Sequence, residues 1–280
     1  MYEFISGQGQ YKQKGNITFL DKVEIDELSY PEEGYDSLFK VEDNSFWFKH
    51  RNQCIEQIIK NYPSVQIVDV GGGNGCVAKH LQEKGFHVTL LEPSIKGCMN
   101  AEKRGVHNII CGLLDERHVM PNTIDGICLF DVLEHIEDDQ AFLTLVRTRM
   151  KLEGRLYLTV PALETLWSKE DDEAGHFRRY SILNITRILN NSGFEIEFAN
   201  YFFSFLYIPI WLVRVVKERF KRKQVSQKVK QKMVMNQHEN YYRRMKRLID
   251  YFTQRELKCL LTKTIKKGSS LIIVAKVSAL

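Results

Sequence analysis

A chain of 280 residues with 44% hydrophobic residues can form one large domain with a sizeable core, or one domain with an elaborate insertion. The net charge of +5 is small but unevenly placed: residues 214–267 hold 18 Lys/Arg against 4 Asp/Glu, leaving 22 against 31 for the rest. Six cysteines without a Cys-x-x-Cys pair argue against a disulfide framework or a zinc site, and read as buried free thiols in a reducing cytoplasm.

The first residues, MYEFISGQGQYKQKG, lack a basic start followed by an apolar stretch, so no secretory signal is expected. Residues 1–44 are mixed and polar and form an N-terminal extension without a clear element. From Ser45 to Asn61, apolar residues at 46, 47, 48, 55, 58 and 59 predict an amphipathic helix. Strands and helices then alternate. VQIVDV (65–70) is the first strand, Gly75 to Lys84 a helix, and HVTLLE (87–92) the second strand. Ser94 caps a helix to Arg104. NIICG (108–112) and GICLFD (126–131) are strands three and four. Glu137 to Leu152 is a helix, RLYLTV (155–160) strand five, Ser181 to Asn191 a helix, FEIEFANYF (194–202) strand six and SSLIIVAKV (269–277) the last strand. This alternation predicts an α/β fold: a doubly wound, mostly parallel sheet covered on both faces. Ligands then bind beyond the carboxyl ends of the strands, where Gly71, Glu92, Asp131 and Pro161 converge.

The turn after strand one, VDVGGGNG (68–75), needs a bare backbone. A P-loop requires Lys-Ser/Thr after its last glycine, but Cys76 follows Gly75. The dinucleotide pattern Gly-x-Gly-x-x-Gly places its third glycine where Cys76 stands. What remains is Gly71-x-Gly73-x-Gly75 preceded by Asp69, an acid that disfavours a phosphate and suits a cationic or hydroxyl-bearing ligand. Glu92 lies 17 residues after Gly75, near the spacing at which a carboxylate accepts both protons of a ribose diol.

The segments VDVGGGNG, LLEP (90–93) and GICLFDVLEHI (126–136) together resemble the class I S-adenosylmethionine-dependent methyltransferases. The resemblance implies a seven-stranded Rossmann-like sheet over residues 45–203 and 269–280, S-adenosylmethionine as cofactor, and S-adenosylhomocysteine as product. It places Asp69, Gly71, Gly72, Gly73, Gly75, Glu92, Pro93, Phe130 and Asp131 at the cofactor. Leu113 and Leu114 stand where the family often carries an acid near the adenine. FWFKHRN (46–52) and LWSKEDDEAGHFRRYS (166–181) resemble, more loosely, a bacterial subgroup linked to polysaccharide or lipid-linked sugar biosynthesis. The acceptor implied is a hydroxyl of a small molecule, sugar or lipid-linked glycan precursor.

For such a reaction His135, beside Asp131, is the candidate base; a structural role at the start of a helix is the alternative. Asp131, Glu134 and His135 also resemble the Glu-x-x-Glu-His metal site of some quinone-pathway O-methyltransferases, but no fourth ligand is evident and no metal is expected. In GHFRRY (175–180), His176, Arg178 and Arg179, with Tyr180 beside them, are candidates to hold an acceptor phosphate or carboxylate. The alternative is an ion-pair cluster with Glu170, Asp171, Asp172 and Glu173.

Residues 204–268 form an insertion before the last strand. It follows from YFFSFLYIPIWLV (201–213), uncharged over 13 residues, which is too short to span a membrane and carries Pro209, expected to prevent one straight helix. RVVKERFKRK (214–223) follows, with Val213, Val216 and Phe220 along one helical stripe. Residues 201–223 thus read either as an anchor on an anionic inner membrane face or as a lid packed on the sheet. The basic charge also leaves open RNA methylation, although FDVLEH lacks the Asn/Asp-Pro-Pro-aromatic pattern of nucleic-acid amino-methylases. A non-catalytic, membrane-tethered cofactor-binding protein is the third alternative.

Overall fold

The computed structural model describes residues 4–5, 11–20, 32–219 and 245–278. Its strands are β1 (Tyr11–Lys14), β2 (Ile17–Leu20), β3 (Ile67–Val70), β4 (Val88–Glu92), β5 (Ile109–Cys111), β6 (Ile124–Phe130), β7 (Met150–Pro161), β8 (Phe194–Phe202) and β9 (Ser270–Val277). They form one sheet in the order β1-β2-β5-β4-β3-β6-β7-β9-β8. β2 and β5, β4, β3, β6 and β7 are parallel, whereas β9 is antiparallel to both β7 and β8. The seven expected strands are present in a doubly wound α/β sheet. Two more come from the N-terminal extension: β1 and β2 pair antiparallel, and β2 joins the edge of the sheet at β5. The central strands are buried on both faces, which explains their unbroken apolar runs.

The helices are α1 (Glu32–Glu42), α2 (Phe46–Asn61), α3 (Cys76–Glu83), α4 (Ile95–Arg104), α5 (Asp139–Arg149), α6 (Lys169–Ala174), α7 (Ile182–Asn191), α8 (Ser204–Arg219) and α9 (residues 245–259). Side chains of α5 and α7 fill the core on one face of the sheet. Those of α2, α3 and α4, with Phe205 of α8 and Leu257 of α9, fill the core on the other. Ser45 and Ser94 cap α2 and α4 by accepting from Trp47 N and Gly97 N, both at 3.2 Å. All six cysteines are free, and five are buried.

Two expectations change, and a third lies partly outside the described residues. The helix expected over 137–152 ends at Arg149, because Met150 is fully buried and pairs with Ile124 at the start of a longer β7. A single helix, α8, runs through Pro209, which forgoes one backbone hydrogen bond in its second turn. The stripe Val213, Val216 and Phe220 is only partly described: Phe220 lies outside the described residues, as does 220–244 as a whole. No described helix is long and apolar enough to cross a membrane.

Candidate active site

A cavity of about 590 Å³ opens at the carboxyl ends of β3, β4, β6 and β7, within the size range of small-molecule sites. Its first half is built from the turn between β3 and α3. Gly73 has φ +57° and a Cβ there would meet nothing within 4 Å, so the backbone faces open space. Gly72 is different: a Cβ would lie 2.4 Å from Leu90 Cδ1 and 2.5 Å from Asp69 Oδ2. Gly71 lines the cavity beside them, whereas Gly75 lies outside the lining and packs against Ala101 and Val106. The expectation that Gly75 touches the ligand gives way to a helix-packing role, as its glycine spares contacts at 2.8 Å.

Glu92 is buried at the end of β4 and accepts from Gly73 N at 2.8 Å, Ser94 N at 2.9 Å and Tyr35 Oη at 2.9 Å. Burial pushes its carboxyl above the ordinary value, and the three donors oppose that rise. Asp69 is fully buried with neither carboxyl oxygen bonded in the structure. Burial raises it to about 7, partly offset by Arg51 and reinforced by Glu92. Pro93, Leu113, Leu114 and Phe130 line the same half.

Side chains that the sequence did not single out complete it. Tyr35 and Leu38 come from α1, in the extension where no element was expected. Arg51 of α2 is paired with Asp131 and leaves its buried Nε without a partner. Asp131, at φ +57°, also accepts from Thr159 Oγ1 at 3.1 Å. The motif FWFKHRN now has a physical role. Trp47 stacks on Phe203 with centroids 3.7 Å apart, Phe48 lies under the Arg51 guanidinium, and His50 Nε2 sits 2.7 Å from Glu256 Oε2. Glu256 of α9 also accepts from Phe203 N and Ser204 N at 2.8 and 2.7 Å, so one buried carboxylate ties α2, α8 and α9 together. In the sequence this cluster showed as aromatic density next to charge and as the looser resemblance of FWFKHRN, neither of which indicated its partners Phe203 and Glu256.

The second half is lined by Glu134, His135, Ile136, Phe142, His176, Arg179, Ile210, Ser269 and Ser270. Glu134 is buried with Oε2 unbonded, and burial followed by the nearby Asp131 pushes its carboxyl well up. His135 packs edge-on against His176 at 4.8 Å; burial and then His176 lower it to about 4, so the ring is neutral at physiological pH. Ligand atoms of Glu134, His135 and His176 lie within 4.8 Å of one another, close enough to share a metal ion. His176 is the ligand that the sequence spacing could not supply, since it arrives from beyond β7. Its Nδ1 is 3.0 Å from Asp171 Oδ1, which fixes the ring.

GHFRRY is corrected in part. Arg179 donates to Asp171 at 2.8 Å and to the Ala162 carbonyl at 3.1 Å. Against burial, the bonds from His176, Arg179 and Ser168 N and the Arg179 charge hold Asp171 at about 2. Arg178 pairs with Asp139 at 2.7 Å, and Tyr180 donates to Asp139 at 2.9 Å. Arg178 and Tyr180 do not line the cavity, and Tyr180 is fully buried. Both arginines are therefore committed to carboxylates of this chain, so neither is a ready anion clamp.

Comparison with known proteins adds the family. The family model described as "Methyltransferase domain" matches residues 42–197, more than half of the chain. A ubiquinone biosynthesis O-methyltransferase of Schizosaccharomyces pombe is 29% identical over 101 residues, covering 34% of this chain and 37% of that protein. The chain thus spans well under half the length of that curated relative. Among solved structures, a SAM-dependent methyltransferase from Thermotoga maritima is 15% identical with a TM-score of 0.54, covering 88% of this chain and 95% of its own. Phosphoethanolamine N-methyltransferase 2 of Haemonchus contortus, solved in complex with S-adenosyl-L-methionine, is 17% identical with a TM-score of 0.54, covering 91% and 59%. At these identities the structural likeness concerns the fold.

Proposed function

Since the chain belongs to the methyltransferase-domain family, whose cofactor is S-adenosyl-L-methionine, we propose that it methylates a hydroxyl oxygen on a small acceptor with an apolar body. The observation that carries this reading is the make-up of the cavity's second half. Burial favours the neutral forms of Glu134 and His135, and both stand with Ser269 among Ile136, Phe142 and Ile210. The arginine of this half, Arg179, is already paired with Asp171. Such a pocket suits a neutral hydroxyl more than a phosphate. The name of the Schizosaccharomyces pombe relative, an O-methyltransferase of ubiquinone biosynthesis, points the same way. A sugar or lipid-linked hydroxyl would have to be held by contacts other than an arginine–phosphate clamp.

The first half fits the cofactor in three places. The unbonded carboxylate of Asp69 and the unpartnered Nε of Arg51 match an ammonium and a carboxylate of one amino-acid end. Glu92, with both acceptor positions of Oε1 and one of Oε2 taken, keeps one on Oε2 for a ribose hydroxyl. Gly71 to Gly73 leave room at the turn between them. When bound, S-adenosyl-L-methionine supplies an electrophilic methyl group. The second half then orients the acceptor oxygen. His135, neutral and at the cavity wall, takes up the hydroxyl proton. Transfer of labelled methyl to members of a panel of phenols, sugars and polyprenyl-linked sugars tests the reading. Labelling of amine acceptors alone would sink it.

A second reading adds a divalent cation at Glu134, His135 and His176, favoured by the unbonded Glu134 oxygen and the Asp171-oriented His176. A cation there would polarise the acceptor hydroxyl. Loss of methyl transfer after chelation, restored by added Mg²⁺ or Zn²⁺, is the outcome expected from it. Transfer unchanged by chelator removes it.

A further inference from the structure

We propose that the outer parts of α8 and α9 form a docking surface for an anionic lipid bilayer, next to the mouth of the cavity. The two helices are joined to the body where α8 begins. There Glu256 caps α8, Phe205 stacks on Phe252 with centroids 5.8 Å apart, and Lys267 lies 5.2 Å from the Tyr207 ring. Beyond that junction the apolar side chains turn outward. Ile208, Trp211, Leu212 and Val213 of α8 are each at least 41% exposed. On α9 Met245, Leu248 and Tyr251 are likewise exposed, spaced by three residues along one side of the helix. Ile210, on the same helix as Trp211, lines the cavity, so the patch adjoins the acceptor half.

Charge decides the occupant. Lys246, Arg247, Arg255 and Lys258 are exposed on α9, and Lys263, Lys266 and Lys267 are exposed after it. Among the described residues of 204–213 and 245–267, Asp250 and the buried Glu256 are the acids. A second copy of this chain would bring the same basic face against itself, which like-charge repulsion opposes. A nucleic acid would pair with the cations but leave the aliphatic residues and Trp211 without an apolar partner. A bilayer interface takes both: aliphatic side chains enter the acyl boundary, an indole settles at the headgroup level, and cations meet anionic headgroups. Docking needs no acceptor, so it stands or falls apart from the identity of the substrate.

The test uses the full chain with vesicles of phosphatidylcholine, with and without phosphatidylglycerol, at physiological salt. Binding at least about tenfold tighter to the anionic vesicles is expected, since apolar insertion and charge act together. Brominated acyl chains should quench tryptophan fluorescence, and Trp211→Phe should remove most of the quenching. The surface variants Leu212→Asp and Leu248→Asp should weaken vesicle binding by about tenfold or more while leaving S-adenosylhomocysteine binding unchanged. Absence of vesicle binding overturns the proposal. So does binding that excess RNA abolishes, that both aspartate variants retain, or that is replaced by a dimer which Leu212→Asp dissociates.

Discussion

The two halves of the cavity are built on different principles. In the first, the frame is one unit of 25 consecutive residues that carries Asp69, Gly71 to Gly73, Glu92 and Pro93; its backbone and Ser94 N supply two of the three donors to Glu92, and Tyr35, Arg51 and Leu113 join this frame from other stretches. In the second, Glu134, His176, Ile210 and Ser269 come from four separate stretches, brought together by β6, β7, α8 and β9. A ligand shared by a whole family can be held by a short, backbone-rich unit, because backbone groups do not depend on side-chain identity. An acceptor that varies is met by side chains on the loops of a fixed scaffold.

If the halves are separable, His135→Asn should lower kcat by about 10²–10⁴-fold, as loss of a general base does, with S-adenosylhomocysteine affinity changed less than about twofold. A parallel fall in that affinity, measured by calorimetry, would erase the division. Conversely, Glu92→Ala should weaken S-adenosylhomocysteine binding by about a hundredfold, because buried donors lose their acceptor along with the ribose contact. Retained binding would move the ribose elsewhere.

The pH dependence of cofactor binding separates the halves more finely. Asp69 sits at about 7 without a partner, and only its charged form pairs with an ammonium. Affinity should therefore rise roughly eightfold between about pH 6 and 7.5, and Asp69→Asn should flatten that slope. The same raised pKa means that the ligand-free fold binds more protons than the unfolded chain between 3.8 and about 7. Its stability thus falls as pH climbs through that window, and Asp69→Asn should remove this trend in Tm. The smallest effect on methyl transfer concerns Arg178, which is partly exposed although its partner Asp139 is buried. Arg178→Ala should cost on the order of 1–3 kcal/mol of stability, because the buried carboxylate keeps, among the described residues, only the Tyr180 hydroxyl, and leave methyl transfer intact. Abolished transfer with unchanged Tm would return this residue to the acceptor.

The sequence carried the first half well. Strand period, three glycines and an acid at each strand end are local signals, and the structure converges them on one cavity. The N-terminal extension was illegible, because β1 and β2 are four-residue strands that gain stability only by joining the sheet edge at β5. Glu137 to Leu152 was read too long because helical propensity does not register the pairing of Met150 with Ile124. In GHFRRY the residue types were right for an anion site, but four nearby acids made the outcome depend on packing. Asp171, itself buried, took Arg179.

By itself, then, the sequence determined the α/β order, the glycine turn and the strand-end acids Asp69 and Glu92, since these depend on backbone geometry within a few residues. Only the tertiary structure decided which charges are spoken for, that Tyr35 and Arg51 reach the first half, and that His176 joins Glu134 and His135. Those outcomes depend on which distant elements pack together. The energy of an ion or hydrogen bond is set by the burial and partner that packing provides, not by residue type.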